Sequence, residues 1–190
     1  GIYDPESGDS QLSNYVISSY TPTLSMLLEQ SEPPTISPFK LLSVIQSSVP
    51  GASSLPNTKQ ELEFIRQRLA GRDHIVLEGE AGTKRQVMKG MKECNWLHLA
   101  CHGIQEPDEP TKSALLLQDG HLTLEEIIKL ELPRAEFSFL SACQTTSGDE
   151  NLSEEADDLA PMVTDEFYRH VMEEGKRPDS RRAAEALHLA

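Results

Sequence analysis

The stretch from Trp96 to Gly103, WLHLACHG, joins a mostly apolar run to a polar ending. Residues 96–101 have the composition of a strand buried on both faces of a parallel sheet. His102 and Gly103 follow at the point where this strand should stop. A core strand needs neither a titratable ring nor a flexible backbone there, whereas a site at the carboxyl edge of a sheet uses both. The stretch therefore predicts a parallel sheet with a functional site at one edge.

Strand and helix patterns alternate on both sides of this stretch. Residues 39–46, FKLLSVIQ, form an almost continuous apolar run, and residues 137–142, FSFLSA, form another strand. The spacing of Leu62, Ile65 and Leu69 is helical. This alternation predicts an α/β fold, an open and mostly parallel sheet with helices on both faces.

Less regular segments complete the expected order of elements. YVISSY, at 15–20, predicts a strand, and ALLLQDGHLT predicts a hairpin that turns at Asp119 and Gly120. Two further helices are expected, over 152–160 and over 162–174.

Length and charge limit the classes of partner. The 190 residues suit one domain spanning 1–190, and the net charge is −14, with 31 acidic and 17 basic residues. Phosphate binding needs clustered Lys and Arg, so the balance argues against a nucleic-acid partner and fits a basic substrate. No apolar run approaches the roughly 20 residues of a membrane span, so no membrane partner is expected.

The cysteines and the first residues bear on the cellular compartment. Three cysteines form an odd set without disulfide-like spacing, which favours the reducing cytoplasm, with the nucleus as the other option. GIYDPESGDS is not a signal sequence, and it lacks an initiator Met. We therefore expect the chain to be a piece of a longer protein.

Two strands end in residues that can carry out nucleophilic catalysis. One strand leads to His102 and Gly103, and the other leads to Cys143. If the strands are neighbours, a thiol meets an imidazole that can serve as base and later as acid. The backbone amides of Gly103 and Cys143 could then hold an oxyanion. The plainer interpretation is also open, because a cysteine that closes a strand is often only a small buried apolar residue.

The motifs together resemble the CHAT domain. WLHLACHG is followed by FSFLSACQTTSGD and LSEEADDLA, and the resemblance extends from about residue 14 to the end of the chain. CHAT domains are caspase-like cysteine peptidase modules, often found behind tetratricopeptide repeats and related to separase. The resemblance implies that His102 is the catalytic base, that Cys143 is the nucleophile, and that the amide of Gly103 lines the oxyanion hole.

The same resemblance implies a biochemical role. It points to a cysteine endopeptidase that cleaves a specific protein and is controlled by an upstream repeat or sensor region. Neither a cofactor nor a metal is required. The alternative is a catalytically silent protein-interaction module that keeps the fold.

One departure from the family pattern lies between Ala160 and Pro161. CHAT domains usually continue after LSEEADDLA with a helix rich in small residues and an apolar strand, and here about twenty residues of that kind are missing. Either they are deleted, or they belong to the protein and are absent from this sequence. Because losing a strand exposes the backbone edge of its neighbour, we expect the second.

Three other sites are weaker hypotheses. Cys94, His98, Cys101 and His102 lack the second paired ligand set of a structural zinc site. GEAGTK, at 79–84, does not have the spacing of a phosphate-binding loop. A nucleotide- or CoA-binding domain would need a glycine fingerprint, and the sequence has none.

Substrate preference is predicted from the acidic residues after Cys143. Asp149 and Glu150 follow the candidate nucleophile closely. A carboxylate-lined pocket attracts a cation and repels an acidic side chain. These residues therefore predict a preference for Arg or Lys before the scissile bond, although they could instead cap the following helix.

Overall fold

The chain forms a parallel four-strand sheet and a small antiparallel three-strand sheet. A computed structural model describes residues 15–17, 38–141, 150–173 and 175–190, with the backbone alone for 150–158. The strands are β1 Lys40–Ile45, β2 Asp73–Glu78, β3 Trp96–Ala100, β4 Gly103–Ile104, β5 Ala114–Leu117, β6 Gly120–Thr123 and β7 Phe137–Leu140. The helices are α1 Thr58–Leu69, α2 Lys84–Glu93, α3 Leu124–Ile128, α4 Glu150–Val171 and α5 Ala183–Leu189.

Strand β3 occupies an inner position in the parallel sheet, whose order is β2-β1-β3-β7. It pairs in parallel with β1 on one edge and with β7 on the other. Leu99 of β3 lies opposite Leu140 of β7. The expected neighbourhood of the two site-bearing strands is therefore confirmed.

Helices cover both faces of this sheet, as the sequence predicts. Leu41 packs with α1, α4 and α5, while its neighbour Leu42 packs with α2 and the small sheet. Successive residues of a strand point to opposite faces. Because β1 is buried on both faces, it needs the continuous apolar run that 39–46 shows.

Some predicted elements differ from the structure. Residues 15–17 are exposed and lie in a turn rather than in a strand, and 18–37 lie outside the described residues. The hairpin turns at Gln118 and Asp119, one residue earlier than expected, because Gly120 already pairs with Leu117.

Helix α4 replaces the two helices expected over 152–160 and 162–174. It runs without a break from Glu150 to Val171 and contains Pro161. A proline inside a helix removes one backbone hydrogen bond and costs about 3 kcal/mol. Packing of α4 on α1 and α5 offsets this cost. The absence of about twenty residues of the protein between Ala160 and Pro161 stays a prediction.

No described helix is both long enough and apolar enough to cross a membrane.

A half-buried imidazole links β2 to β1. His74 Nε2 is 2.9 Å from the hydroxyl of Ser43. Burial, followed by the nearby Arg66 and His98, lowers the pKa of His74 from 6.5 to about 4. The folded protein therefore keeps this ring neutral at a pH where an unfolded chain protonates it.

We expect this ring to make stability depend on pH. Between pH 6.5 and 4 the unfolded chain binds a proton that the folded chain does not, so the free energy of unfolding falls as the pH falls. The loss from His74 should be about 2 kcal/mol, allowing for its partial exposure. Urea unfolding at several pH values measures it. His74→Gln should reduce the loss, and the exposed His121→Gln should not; equal losses in all three proteins would contradict the assignment.

Candidate active site

His102 lies directly beyond β3 and is held by a backbone carbonyl. Its ring is 2% exposed, and Nε2 is 2.8 Å from the carbonyl oxygen of Ser53, in the loop between β1 and α1. Because a carbonyl oxygen only accepts, Nε2 carries a proton, and in the neutral ring Nδ1 carries the lone pair. Nδ1 is buried and has no hydrogen-bond partner within the described part of the chain. The ring therefore presents a basic nitrogen in a fixed orientation.

The backbone of the histidine is tied to the small sheet. The Leu116 N–H donates to the His102 carbonyl oxygen over 2.9 Å, and Gly103 lies opposite Leu115. In this antiparallel pattern, Gly103 and Leu115 form a non-hydrogen-bonded pair. The Gly103 N–H therefore points away from β5 and is oriented to donate elsewhere.

Gln46 joins the carboxyl ends of three strands at this edge. Its backbone N–H donates to the Ala100 carbonyl oxygen over 2.8 Å, and its side-chain amide donates to the Gly79 carbonyl oxygen over 3.1 Å. A Cβ added at Gly82 would lie 1.8 Å from the Gln46 Nε2, so a larger residue there would displace the Gln46 amide. Gln46 was not singled out in the sequence; the only signal is a polar residue that ends an apolar run.

The partners proposed for His102 lie partly outside the described residues. Cys143 and Asp149 are not among them, and Glu150 is the first residue of α4. The structure does describe the end of β7, where the Ser141 N–H donates to the Leu99 carbonyl oxygen over 2.8 Å. It thus brings His102 and Gly103 to the edge at which the strand before Cys143 ends.

An apolar groove borders β7 on the face covered by α2 and α3. Its volume is about 450 Å³, and its walls include Met91, Leu97, Ile127 and Leu140. The Leu140 side chain is 62% exposed. An apolar surface therefore lies beside the strand that leads towards Cys143.

The chain is similar to a known protein family over most of its length. The model of the CHAT domain matches residues 2–165. The chain belongs to the CHAT family. CHAT domains form a caspase-like peptidase family. None of the curated proteins matches this chain.

The other two thiols of this CHAT domain are in apolar surroundings. Cys101 is fully buried, and burial raises its pKa to about 12. Burial likewise raises the pKa of Cys94 to about 11. The thiolate is the reactive form of cysteine, so neither residue is suited to attack a carbonyl near neutral pH.

The described geometry does not bring together the four residues considered for a zinc site. His98 points both ring nitrogens at α1 and α4, with Glu61 and Tyr168 as neighbours, while Cys94 and Cys101 pack in the cluster on the opposite face of the sheet. The described ranges contain no group of three or more His, Cys, Asp or Glu side chains placed to hold a metal.

We expect iodoacetamide to distinguish the three cysteines of the folded protein. At pH 7.5 Cys94 and Cys101 should stay unmodified, because burial both shields them and disfavours the thiolate. Peptide mass mapping before and after unfolding measures this. Cys94→Ala and Cys101→Ala should leave the labelling of Cys143 unchanged. Loss of that label in a folded Cys101→Ala protein would contradict the assignment.

Proposed function

We propose that this CHAT domain is a cysteine endopeptidase in which Cys143 is the nucleophile and His102 is the base. The observation that carries the proposal is the buried Nδ1 of His102, which has no hydrogen-bond partner among the described residues, while Nε2 is held on the Ser53 carbonyl. A buried acceptor without a partner costs about 1–3 kcal/mol. We infer that the Cys143 thiol supplies that partner. The substrate is a specific protein, and an upstream repeat or sensor region in the cytoplasm controls the cleavage.

The register of the sheet supports this pairing. Leu99 pairs with Leu140, and counting three residues onward along each strand gives His102 and Cys143. Cys143 follows Ser141 by two residues, so covalent geometry keeps their α-carbons within about 7 Å. We therefore infer that both functional groups lie at the carboxyl edge of the sheet, where ligands of open parallel sheets bind.

The proposed reaction follows from these positions. The Cys143 thiol gives its proton to His102 Nδ1, and the thiolate attacks the scissile carbonyl carbon. The N–H groups of Gly103 and Cys143 donate to the resulting oxyanion; loss of one such donor typically costs about 10²–10³ in kcat. Nδ1–H then protonates the leaving amine, and water, deprotonated by the same nitrogen, hydrolyses the thioester. The mechanism uses no cofactor or metal.

The dyad is tested by alkylation and by cleavage together. In the wild type, His102 should stabilise the Cys143 thiolate, so iodoacetamide should modify Cys143 at pH 6 at least about 10-fold faster than in His102→Gln. Peptide-library cleavage should disappear in Cys143→Ala and His102→Gln. His121→Gln, which replaces an exposed histidine, is the matched control. Equal alkylation rates in the wild type and in His102→Gln would refute the dyad.

One observation favours a catalytically silent interaction module as the second candidate. Helix α4 crosses from Ala160 to Pro161 without an intervening strand, and β7 is the last strand of the sheet within the described residues. A folded wild type whose Cys143 reacts no faster than a free thiol, and which cleaves no peptide, would establish this alternative.

We further propose that Asp149 and Glu150 select Arg or Lys before the scissile bond. Opposite charges attract strongly where water is excluded, and the net charge of −14 steers basic chains towards the site. The apolar groove beside Leu140 would instead favour an apolar side chain before the scissile bond.

A fluorogenic panel that varies only the residue before the cut decides between these choices. Cleavage after Arg should exceed cleavage after Leu or Asp, and Asp149→Asn together with Glu150→Gln should reduce the preference by about 10-fold, or 1.4 kcal/mol. Glu109→Gln, a change at an exposed loop carboxylate, is the control. Faster cleavage after Leu or Asp in the wild type would exclude the acidic pocket.

A further inference from the structure

Four polar side chains lie together inside the core, away from the candidate dyad. They come from α1, β3 and α4, and each is at most 1% exposed. The four are Glu61, His98, Thr164 and Tyr168. Polar groups are seldom buried without a reason, because each must recover in the protein the hydrogen bonds it loses in water.

The contacts among the four residues are short. The Thr164 hydroxyl donates to Glu61 Oε2 over 2.8 Å, and the same oxygen is 3.3 Å from His98 Nε2. The second contact has ion-pair distance but not hydrogen-bond alignment. On the other side of the ring, His98 Nδ1 is 3.3 Å from the Tyr168 hydroxyl.

The Tyr168 hydroxyl can act as a hydrogen-bond donor to the His98 ring. Burial, followed by the charge of Glu61, raises the pKa of Tyr168 well above its ordinary value, so the hydroxyl keeps its proton. It can therefore donate to Nδ1 of His98, which leaves the proton of a neutral ring on Nε2, facing Glu61.

His98 is also in contact with the strand that leads to Cys143. Its ring stacks on Phe139 of β7, with centroids 5.1 Å apart and planes 12° from parallel. Phe139 precedes Cys143 by four residues, and His98 precedes His102 by four. The His98 ring is carried by β3 and contacts β7, and these two strands lead to the two residues of the proposed dyad.

The two helices contacted by His98 are directly connected along the chain to segments of the proposed active site. Helix α1, through Glu61, follows the loop whose Ser53 carbonyl holds His102. Helix α4, through Tyr168, begins at Glu150, directly after the segment that contains Cys143. The ring therefore contacts β7 and the two helices that follow the Ser53 loop and the Cys143 segment along the chain.

A buried carboxylate fixes positions more strictly than apolar packing does. If α4 shifted along β3, Glu61 would lose Thr164 and His98 would lose Tyr168, leaving buried polar groups unpaired. Losing a partner in this way costs far more than repacking apolar side chains of similar volume. The cluster therefore favours a single register of α4 against β3.

We propose that His98, placed between Glu61 and Tyr168, is a positioning residue that sets the orientation of the His102 ring at the carboxyl edge of the sheet; this rests on the function proposed above. His98 touches no reacting atom and acts through the strands and helices that it joins. Errors of about 1 Å in such positions cost up to about 100-fold in rate.

The test compares mild changes in the cluster with a matched change elsewhere. Glu61→Gln keeps the shape and removes the charge, and Tyr168→Phe removes one hydroxyl. His74→Gln is the control, since it removes a half-buried imidazole from the same face of the sheet, where the ring bonds Ser43 instead. At pH 7.5, kcat and KM are measured on the best peptide, and the ¹⁵N resonances of the His102 ring are recorded, well below each unfolding temperature.

We expect Glu61→Gln and Tyr168→Phe to lower kcat by about 10-fold with KM changed less than 2-fold, and to shift the His102 ring resonances. His74→Gln should do neither. Wild-type kcat and unchanged His102 resonances in both cluster variants would overturn the proposal, as would equal effects in the control. If Glu61→Gln does not fold, Tyr168→Phe decides.

The two proposals fail in different ways. If the wild type cleaves nothing, the proposed function fails, and the His102 resonances alone decide the positioning role. If the His102 resonances shift in Tyr168→Phe but not in His74→Gln, the positioning role of His98 is supported. If they do not shift in Tyr168→Phe, that role is refuted.

Discussion

The enclosure of β3 is the constraint on which this domain depends. Both edges of the strand are paired, Trp96 and His98 have no exposed surface, and Leu99 is 3% exposed on the other face. A strand in this position accepts polar groups only where the interior satisfies them, or at its end. β3 has one residue of each kind. His98 lies within the strand and is hydrogen-bonded to Tyr168 of α4, and His102 lies beyond the strand and is hydrogen-bonded to a loop.

The parts of the fold that local pattern determines were predictable. The continuous apolar run of 39–46 predicts a strand that must be buried on both faces, and β1 is such a strand. Leu62, Ile65 and Leu69 predict the buried side of α1, which the structure confirms. The place of His102 just beyond the end of β3 was predictable because the apolar run of the strand stops there, whereas its catalytic role stays a prediction.

Features that depend on distant parts of the chain were not predictable. The partner of His102 is the carbonyl of Ser53, and every residue in that loop has a carbonyl; only the path of the loop selects one. Glu61 resembles a surface carboxylate on an amphipathic helix, and its partner Thr164 lies 103 residues away. In α4, Pro161 locally favours a helix start, whereas packing on α1 keeps one continuous helix. Residues 15–17 are β-branched or aromatic, but composition alone does not make a strand.

The position of β7 affects how copies of this domain behave together in solution. Within the described residues β7 ends the parallel sheet, and it carries the exposed Leu140. An open strand edge is a template for pairing with another chain. The net charge of −14 opposes that encounter through mutual repulsion, which salt screens over about 10 Å at 0.1 M. Colloidal stability of the isolated domain therefore comes from its acidity, and it weakens as ionic strength rises or as the pH approaches the isoelectric point.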